Sequence, residues 1–86
     1  MASIPSVVVY HAASCHLCER ALAQVRTLHD ELGFELREVA IDGDEELEAA
    51  YRELIPVVEI GGRQAFTYYV HEAAFRRRLE AAQSSL

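Results

Sequence analysis

Apolar and polar residues follow each other along this chain in two rhythms, one typical of strands and the other of helices. The β-branched run at residues 7–10 predicts a short buried strand. From residue 18 to residue 32, apolar residues instead recur at steps of three and four, which predicts an amphipathic helix. Ser14 is expected to cap the start of this helix and Gly33 to end it. The predicted inner stripe consists of Cys18, Ala21, Leu22, Val25, Leu28, His29 and Leu32.

A second strand is predicted at residues 34–41, where apolar residues alternate with polar ones. A strand, a helix and a strand of these lengths form a βαβ unit, whose crossover is almost always right-handed and pairs the two strands in parallel. Asp44 is then expected to cap a short acidic helix that continues to about Leu54. Pro56 ends that helix, because the residue before a proline is biased away from helical geometry.

The last third of the chain predicts a hairpin and a third helix. The Gly61–Gly62 pair is a two-residue turn signal between a strand at residues 57–60 and an antiparallel strand at about residues 63–68. The pattern becomes helical again from residue 70 or 71, with Arg76–Arg78 and Glu80 on the solvent side. The residues expected to face inward are Ala74, Phe75, Leu79 and Ala82.

The predicted order β-α-β-α-β-β-α defines an α/β fold with a four-stranded mixed sheet and helices on both of its faces. With 86 residues, of which 51% are hydrophobic and 26% charged, the chain fits a single globular domain over residues 1–86. The formal net charge of −6 argues against a nucleic-acid or anionic-membrane partner. No apolar run approaches the ~20 residues of a membrane span and no leader pattern opens the chain, so a cytoplasmic protein is expected.

Both cysteines of the chain fall where the first helix begins. Cys15 and Cys18 are three residues apart, so on a helix their sulfurs share one face. The unpaired backbone N–H groups of a helix N-terminus stabilise a thiolate, which is the nucleophile of disulfide exchange. We therefore predict a dithiol–disulfide redox centre in which Cys15 attacks and Cys18 resolves. His16 either favours the Cys15 thiolate by its charge or is a solvent-facing spacer.

Two other interpretations of the cysteines stay open, half of a metal site or a pair of inert core thiols. A structural zinc site needs four ligands, and the chain has only two cysteines. Its histidines, whose spacing is not that of a zinc ligand pair, are His11, His16, His29 and His71. We expect no resident metal, with an iron–sulfur cluster bridged between two protomers by Cys15 as a minor alternative.

The order of these motifs resembles the thioredoxin superfamily: a strand, a helix opening on Cys-x-x-Cys, and a later Ile-Pro before a strand and hairpin. The chain length resembles glutaredoxins, and residues 14–19, Ser-Cys-His-Leu-Cys-Glu, resemble a glutaredoxin-like bacterial subgroup that carries Cys-His-Leu-Cys. This resemblance implies a thioredoxin-like fold and disulfide oxidoreductase activity, with Cys15 as the nucleophile and Cys18 as the resolving thiol. It also implies a cis Ile55–Pro56 peptide bond, which would place a backbone edge for substrate binding beside Cys15.

The resemblance further implies a protein or small-molecule disulfide as substrate, and a reductase or glutathione as electron donor. Glutaredoxins commonly carry a basic residue just before the first cysteine and a Gly-Gly-x-Asp signature that holds the carboxylates of glutathione. This chain has His-Ala-Ala-Ser at residues 11–14 and Thr-Tyr-Tyr-Val-His at residues 67–71 instead. Disulfide exchange itself needs no bound cofactor, so we expect none that is tightly bound, and these departures make glutathione a weak candidate. Strand alternation predicts that one of Tyr68 and Tyr69 faces inward and the other lines the substrate groove.

A function of another class is also compatible with these residues. The chain would then be a non-catalytic thioredoxin-like adaptor, or a dimer that binds a metal or an iron–sulfur cluster through the same cysteines.

Overall fold

The computed structural model describes residues 4–84, so both ends of the predicted 1–86 domain lie outside the described residues. The elements follow in the predicted order. They are β1 (Ser6–His11), α1 (His16–Leu32), β2 (Glu35–Ala40), α2 (Glu45–Tyr51), β3 (Val57–Ile60), β4 (Arg63–Thr67) and α3 (Glu72–Ser84). Within the described residues, no helix is both long and apolar enough to cross a membrane.

The four strands form one mixed sheet in the order β2-β1-β3-β4. β1 pairs with β2 in parallel and with β3 antiparallel, and β4 returns antiparallel to β3. Val7 lies opposite Leu36 on one side and opposite Ile60 on the other. The predicted βαβ half and hairpin half are therefore both present. They are joined by the pairing of the two central strands, β1 and β3.

One face of the sheet carries the hydrophobic core because alternate residues of β1 and β3 point to the same side. Val7 and Val9 of β1 are fully buried there, in the same cluster as residues of α1 and α3. The nine buried residues of this cluster are Val7, Val9, Val25, Leu28, Phe34, Val58, Ile60, Phe75 and Leu79. The stripe predicted for α1 is thus correct at its centre, but Leu32 at its end remains 38% exposed.

The opposite face of the sheet is covered by α2, and one aromatic pair joins the helix to the sheet. The rings of Tyr10 on β1 and Tyr51 on α2 stack with their centroids 4.2 Å apart. Burial raises the pKa of Tyr10, and the hydrogen bond to Tyr51 raises it further. None of the residues of α2 is buried. Helices therefore lie on both faces, with a much thinner layer on the α2 side.

Several elements are shorter or placed differently than the sequence predicted. α2 ends at Tyr51 rather than near Leu54, and the residues after it form turns. β4 ends at Thr67, one residue before Tyr68. Arg76 is not purely solvent-facing, because its side chain is partly buried and its guanidinium lies 2.5 Å from the Glu31 carboxylate of α1. This ion pair joins the two helices that cover the core.

Candidate active site

Cys15 and Cys18 are joined by a disulfide bond at the start of α1, with their Cα atoms 5.2 Å apart. Cys15 itself is the N-cap, with extended backbone angles of φ −116° and ψ 102°. The prediction that Ser14 caps the helix is therefore wrong. Ser14 instead adopts a left-handed conformation with φ 58°, which turns the chain from the end of β1 into the helix.

The two cysteines differ in their exposure to solvent. Cys18 is 1% exposed and packs in the interior, whereas Cys15 is partly exposed. The backbone N–H of Cys18 donates a hydrogen bond to Cys15 Sγ over 3.2 Å, and the backbone N–H of Glu19 donates to the Cys15 carbonyl over 3.0 Å. Because a helix N-terminus has unpaired N–H groups, this position also suits a negatively charged sulfur.

An open pocket of about 240 Å³ lies beside Cys15. Three segments meet there: the loop after β1, the turn after β2 and the connection from α2 to β3. The residues that line it are Ala12, Ala13, Ser14, Cys15, Ile41, Asp42, Arg52 and Ile55. The structure thus brings Ile55 together with Cys15, and a role for Ile55 and Pro56 in substrate binding stays a prediction.

Pro56 follows Ile55, directly before β3, and is buried. The Ile55–Pro56 peptide bond is cis. The carbonyl of Pro56 accepts a hydrogen bond of 3.0 Å from the backbone N–H of Tyr68, which ties the connection before β3 to the end of β4.

Tyr68 and Tyr69 both lie on the surface, with 41% and 59% of their areas exposed. The prediction that one of them faces the core is wrong, because β4 ends at Thr67 and strand alternation ends with it. Tyr68 has a left-handed backbone with φ 67°, and its hydroxyl donates a hydrogen bond to the Glu53 carbonyl over 2.5 Å. That hydroxyl bridges the loop after β4 to the segment after α2.

His16 lies almost entirely in solvent. Its side chain is 97% exposed, and its Nδ1 lies 3.6 Å from the Glu19 carboxylate. The only interaction that the described part of the chain provides for this imidazole is with Glu19, one turn along the helix. A role for His16 in favouring the Cys15 thiolate stays a prediction.

Two charged residues beside Cys15 were not selected from the sequence. The Asp42 carboxylate accepts a hydrogen bond of 3.0 Å from the Ala13 backbone N–H, and Arg52 forms an ion pair with Glu48 over 2.5 Å. A usable signal existed for Asp42. The carboxyl ends of parallel strands meet at one edge of a sheet, so the residue after β2 must lie near the loop after β1.

The arrangement suits disulfide exchange, since a partly exposed cysteine at a helix N-terminus is bonded to a buried one. Among residues 4–84, no group of three or more His, Cys, Asp or Glu side chains is placed to hold a metal ion. Fold and cysteine pair together define a thioredoxin-fold protein with a Cys-x-x-Cys disulfide at the first helix. The chain belongs to the glutaredoxin-like domain family (DUF836), whose family model matches residues 6–80.

Similar proteins agree with this assignment. An uncharacterised protein of Mycobacterium tuberculosis is 32% identical over 88 residues, covering 96% of this chain and 89% of that protein. The solution structure of protein Ne2328 from Nitrosomonas europaea is 29% identical with a TM-score of 0.74, covering 90% of this chain and 93% of that one. Thioredoxin from Fasciola hepatica shares the fold at 22% identity and a TM-score of 0.63, covering 92% of this chain and 81% of that one. The narrower Cys-His-Leu-Cys subgroup stays a prediction.

Proposed function

We propose that this protein is a small thiol–disulfide oxidoreductase whose working groups are Cys15 and Cys18. The observation that carries the proposal is the difference between the two bonded sulfurs. Cys15 is partly exposed beside a pocket, and Cys18 is 1% exposed beneath it. An exchange reaction needs one sulfur that an external disulfide can reach and a second that only the first can reach.

The reaction starts from the dithiol form. The Cys15 thiolate attacks one sulfur of a substrate disulfide RS–SR′, so that a Cys15–S–SR bond forms and R′S⁻ leaves and takes up a proton. Cys18, after losing its proton to solvent or to a leaving thiolate, then attacks the Cys15 sulfur and expels RS⁻. Two electrons pass from the protein to the substrate, which ends as two thiols, while Cys15 and Cys18 end as the disulfide of the present structure.

The groups next to Cys15 suggest how the substrate is held. Ile55 lines the pocket, and the cis bond to Pro56 follows it directly. An extended segment of a substrate that paired with this backbone edge would present its sulfur to Cys15. The substrate is accordingly a protein or small-molecule disulfide, and the protein works in the cytoplasm without a tightly bound cofactor. A reductase or glutathione returns the disulfide to the dithiol.

Insulin reduction by the full-length protein tests this proposal, with dithiothreitol as the electron source and Cys15→Ser as the inactive comparison. Wild-type protein should accelerate insulin precipitation well above the dithiothreitol background, and Cys15→Ser should not. Equal rates for the two proteins would remove the catalytic function. Metal analysis of the same purified sample covers the competing class, since near-stoichiometric zinc or iron would favour the metal- or cluster-binding dimer.

A further inference from the structure

The loop that delivers Cys15 to its position has one anchoring hydrogen bond outside the strand ladder. Ser14, directly before Cys15, has φ 58°, a left-handed conformation that is unfavourable for a residue with a side chain. The preceding residue, Ala13, donates its backbone N–H to Asp42 Oδ2 over 3.0 Å. The loop is therefore held on both sides of Ser14, by Asp42 before it and by the first turn of α1 after it. This leaves the backbone before Cys15 little freedom to move.

Asp42 is itself firmly placed. The N–H of Ile41, directly before it, donates to the carbonyl of His11 over 2.8 Å, which extends the parallel pairing of β1 and β2. The N–H of Asp44, two residues later, donates to the Ile41 carbonyl over 3.1 Å and closes the turn. Asp42 therefore presents its carboxylate from a fixed backbone to the loop before Cys15.

The carboxylate of Asp42 lines the same pocket as Cys15, and no basic side chain within residues 4–84 forms an ion pair with it. The other charged groups around Cys15 are weaker candidates for an effect on its sulfur. Arg52 also lines the pocket but is paired with Glu48, while His16 and Glu19 on α1 pair with each other and do not line the pocket. Asp42 is exposed, so solvent screens its charge, but an unpaired negative charge in the lining of the same pocket still disfavours the Cys15 thiolate.

We propose that Asp42 is the positioning residue of the redox centre, holding the Ala13–Ser14 loop while its charge opposes formation of the Cys15 thiolate. The inference rests on the proposed disulfide exchange and adds whether the protein favours reduction or oxidation of its substrate. A dithiol form that is less stable gives up its two electrons more readily. Conversely, a disulfide oxidoreductase whose reduced form is stabilised is a strong oxidant. Asp42 thus biases the protein toward reducing substrates rather than oxidising them.

Two substitutions separate the two parts of this role. Asp42→Asn keeps an oxygen that accepts the Ala13 N–H and removes the charge, whereas Asp42→Ala removes both. The matched control is Asp30→Asn, the same change at an exposed position near the far end of α1. At 1.5 Å per helical residue Asp30 is roughly 20 Å from Cys15, about two Debye lengths at 0.1 M salt.

The measurement is the rate of iodoacetamide alkylation of Cys15 in the reduced protein as a function of pH, followed by mass spectrometry. We expect the pH midpoint of alkylation to fall by about half a unit or more in Asp42→Asn and Asp42→Ala, and to stay in place in Asp30→Asn. In a glutathione redox buffer at a pH above the midpoint, the dithiol fraction of both Asp42 variants should rise by about threefold relative to the disulfide. An unmoved midpoint in Asp42→Asn, or an equal shift in Asp30→Asn, would overturn the charge effect.

The positioning role of Asp42 is measured separately, by the rate of exchange with a small disulfide. The pH is chosen so that the Cys15 thiol is fully ionised in every variant. There Asp42→Ala should react at least about twofold more slowly than Asp42→Asn, because only the asparagine still holds the loop. Equal rates would overturn the positioning role. Alkylation requires no turnover, so a failure of the proposed function, seen as an inactive wild-type protein, is distinguishable from a failure of this inference.

Discussion

Cys18 donates its backbone N–H to the sulfur of Cys15, and 3.2 Å separates the two atoms. Cys18 therefore contributes to the site twice, by its side chain as the bonded partner and by its main chain as a cap that favours negative charge on Cys15. The main-chain contribution does not depend on which side chain residue 18 carries. Replacing the Cys18 side chain should consequently leave Cys15 reactive.

This gives an expectation for Cys18→Ser. The first attack of Cys15 on a substrate should proceed, but the mixed disulfide should persist because no second thiol can release it. Incubating the reduced variant with an aromatic disulfide and measuring the intact mass tests this, and a near-stoichiometric adduct on Cys15 is expected. The matched Cys15→Ser variant should form far less adduct, since Cys18 is 1% exposed. Comparable adducts on both variants would show that the two thiols are equally accessible and would contradict the assigned order of attack.

A second expectation concerns His16. With 97% of its side chain in water, the charge of its imidazole is strongly screened at the Cys15 sulfur. His16→Gln should therefore change the pH midpoint of Cys15 alkylation by less than about half a unit and the insulin-reduction rate by less than about twofold. A larger downward or upward shift would establish that His16 tunes the thiolate.

Much of the fold could be predicted from the sequence because local pattern and tertiary packing agree. The change from the strand run at residues 7–10 to helical spacing after Cys18, and the Gly61–Gly62 turn, each specify one local structure that the sheet also requires. Element ends were less predictable, because α2 has no buried residue that would fix where it stops.

The errors at the site have two physical causes. Ser14 has the better intrinsic preference for an N-cap, but the sulfur of Cys15 accepts the capping hydrogen bond and Ser14 is needed for the turn. Tyr68 follows an alternating pattern in the sequence, yet its left-handed backbone ends the strand, and its register partner Pro56 has no N–H with which to continue the ladder. Both outcomes depend on contacts between distant segments, which a local pattern does not contain.

The attachment of α2 provides a stability test. Because the stack on Tyr10 is the main aromatic contact of this helix, Tyr51→Ala should lower the free energy of unfolding by about 1–3 kcal/mol. Urea denaturation of the oxidised protein measures this. Tyr69→Ala is the matched control, since Tyr69 is 59% exposed and should cost less than about 0.5 kcal/mol. Equal losses in the two variants would mean that the stack does not hold α2 on the sheet.

The last expectation concerns pH and the ion pair between Arg26 on α1 and Glu38 on β2. Arg26 Nε and one terminal nitrogen donate to the two Glu38 oxygens over 2.6 and 2.5 Å. These hydrogen bonds hold the pKa of Glu38 below its ordinary value. A carboxyl with a depressed pKa in the folded protein contributes stability that is complete above its unfolded pKa of about 4.3 and is lost as the pH falls through the folded value.

Glu38→Gln should accordingly lower the free energy of unfolding by about 0.5–1 kcal/mol at pH 7. The effect is modest because Arg26 is more than half exposed. The difference should shrink as the pH falls below about 4, since wild-type Glu38 then becomes neutral as well. Urea midpoints at pH 7, 5 and 3 measure it, with Glu35→Gln on the same exposed strand as the control for loss of one charge. A difference that stays constant from pH 7 to pH 3 would mean that residue 38 acts through packing, because a charge-dependent contact must disappear when its carboxylate is protonated.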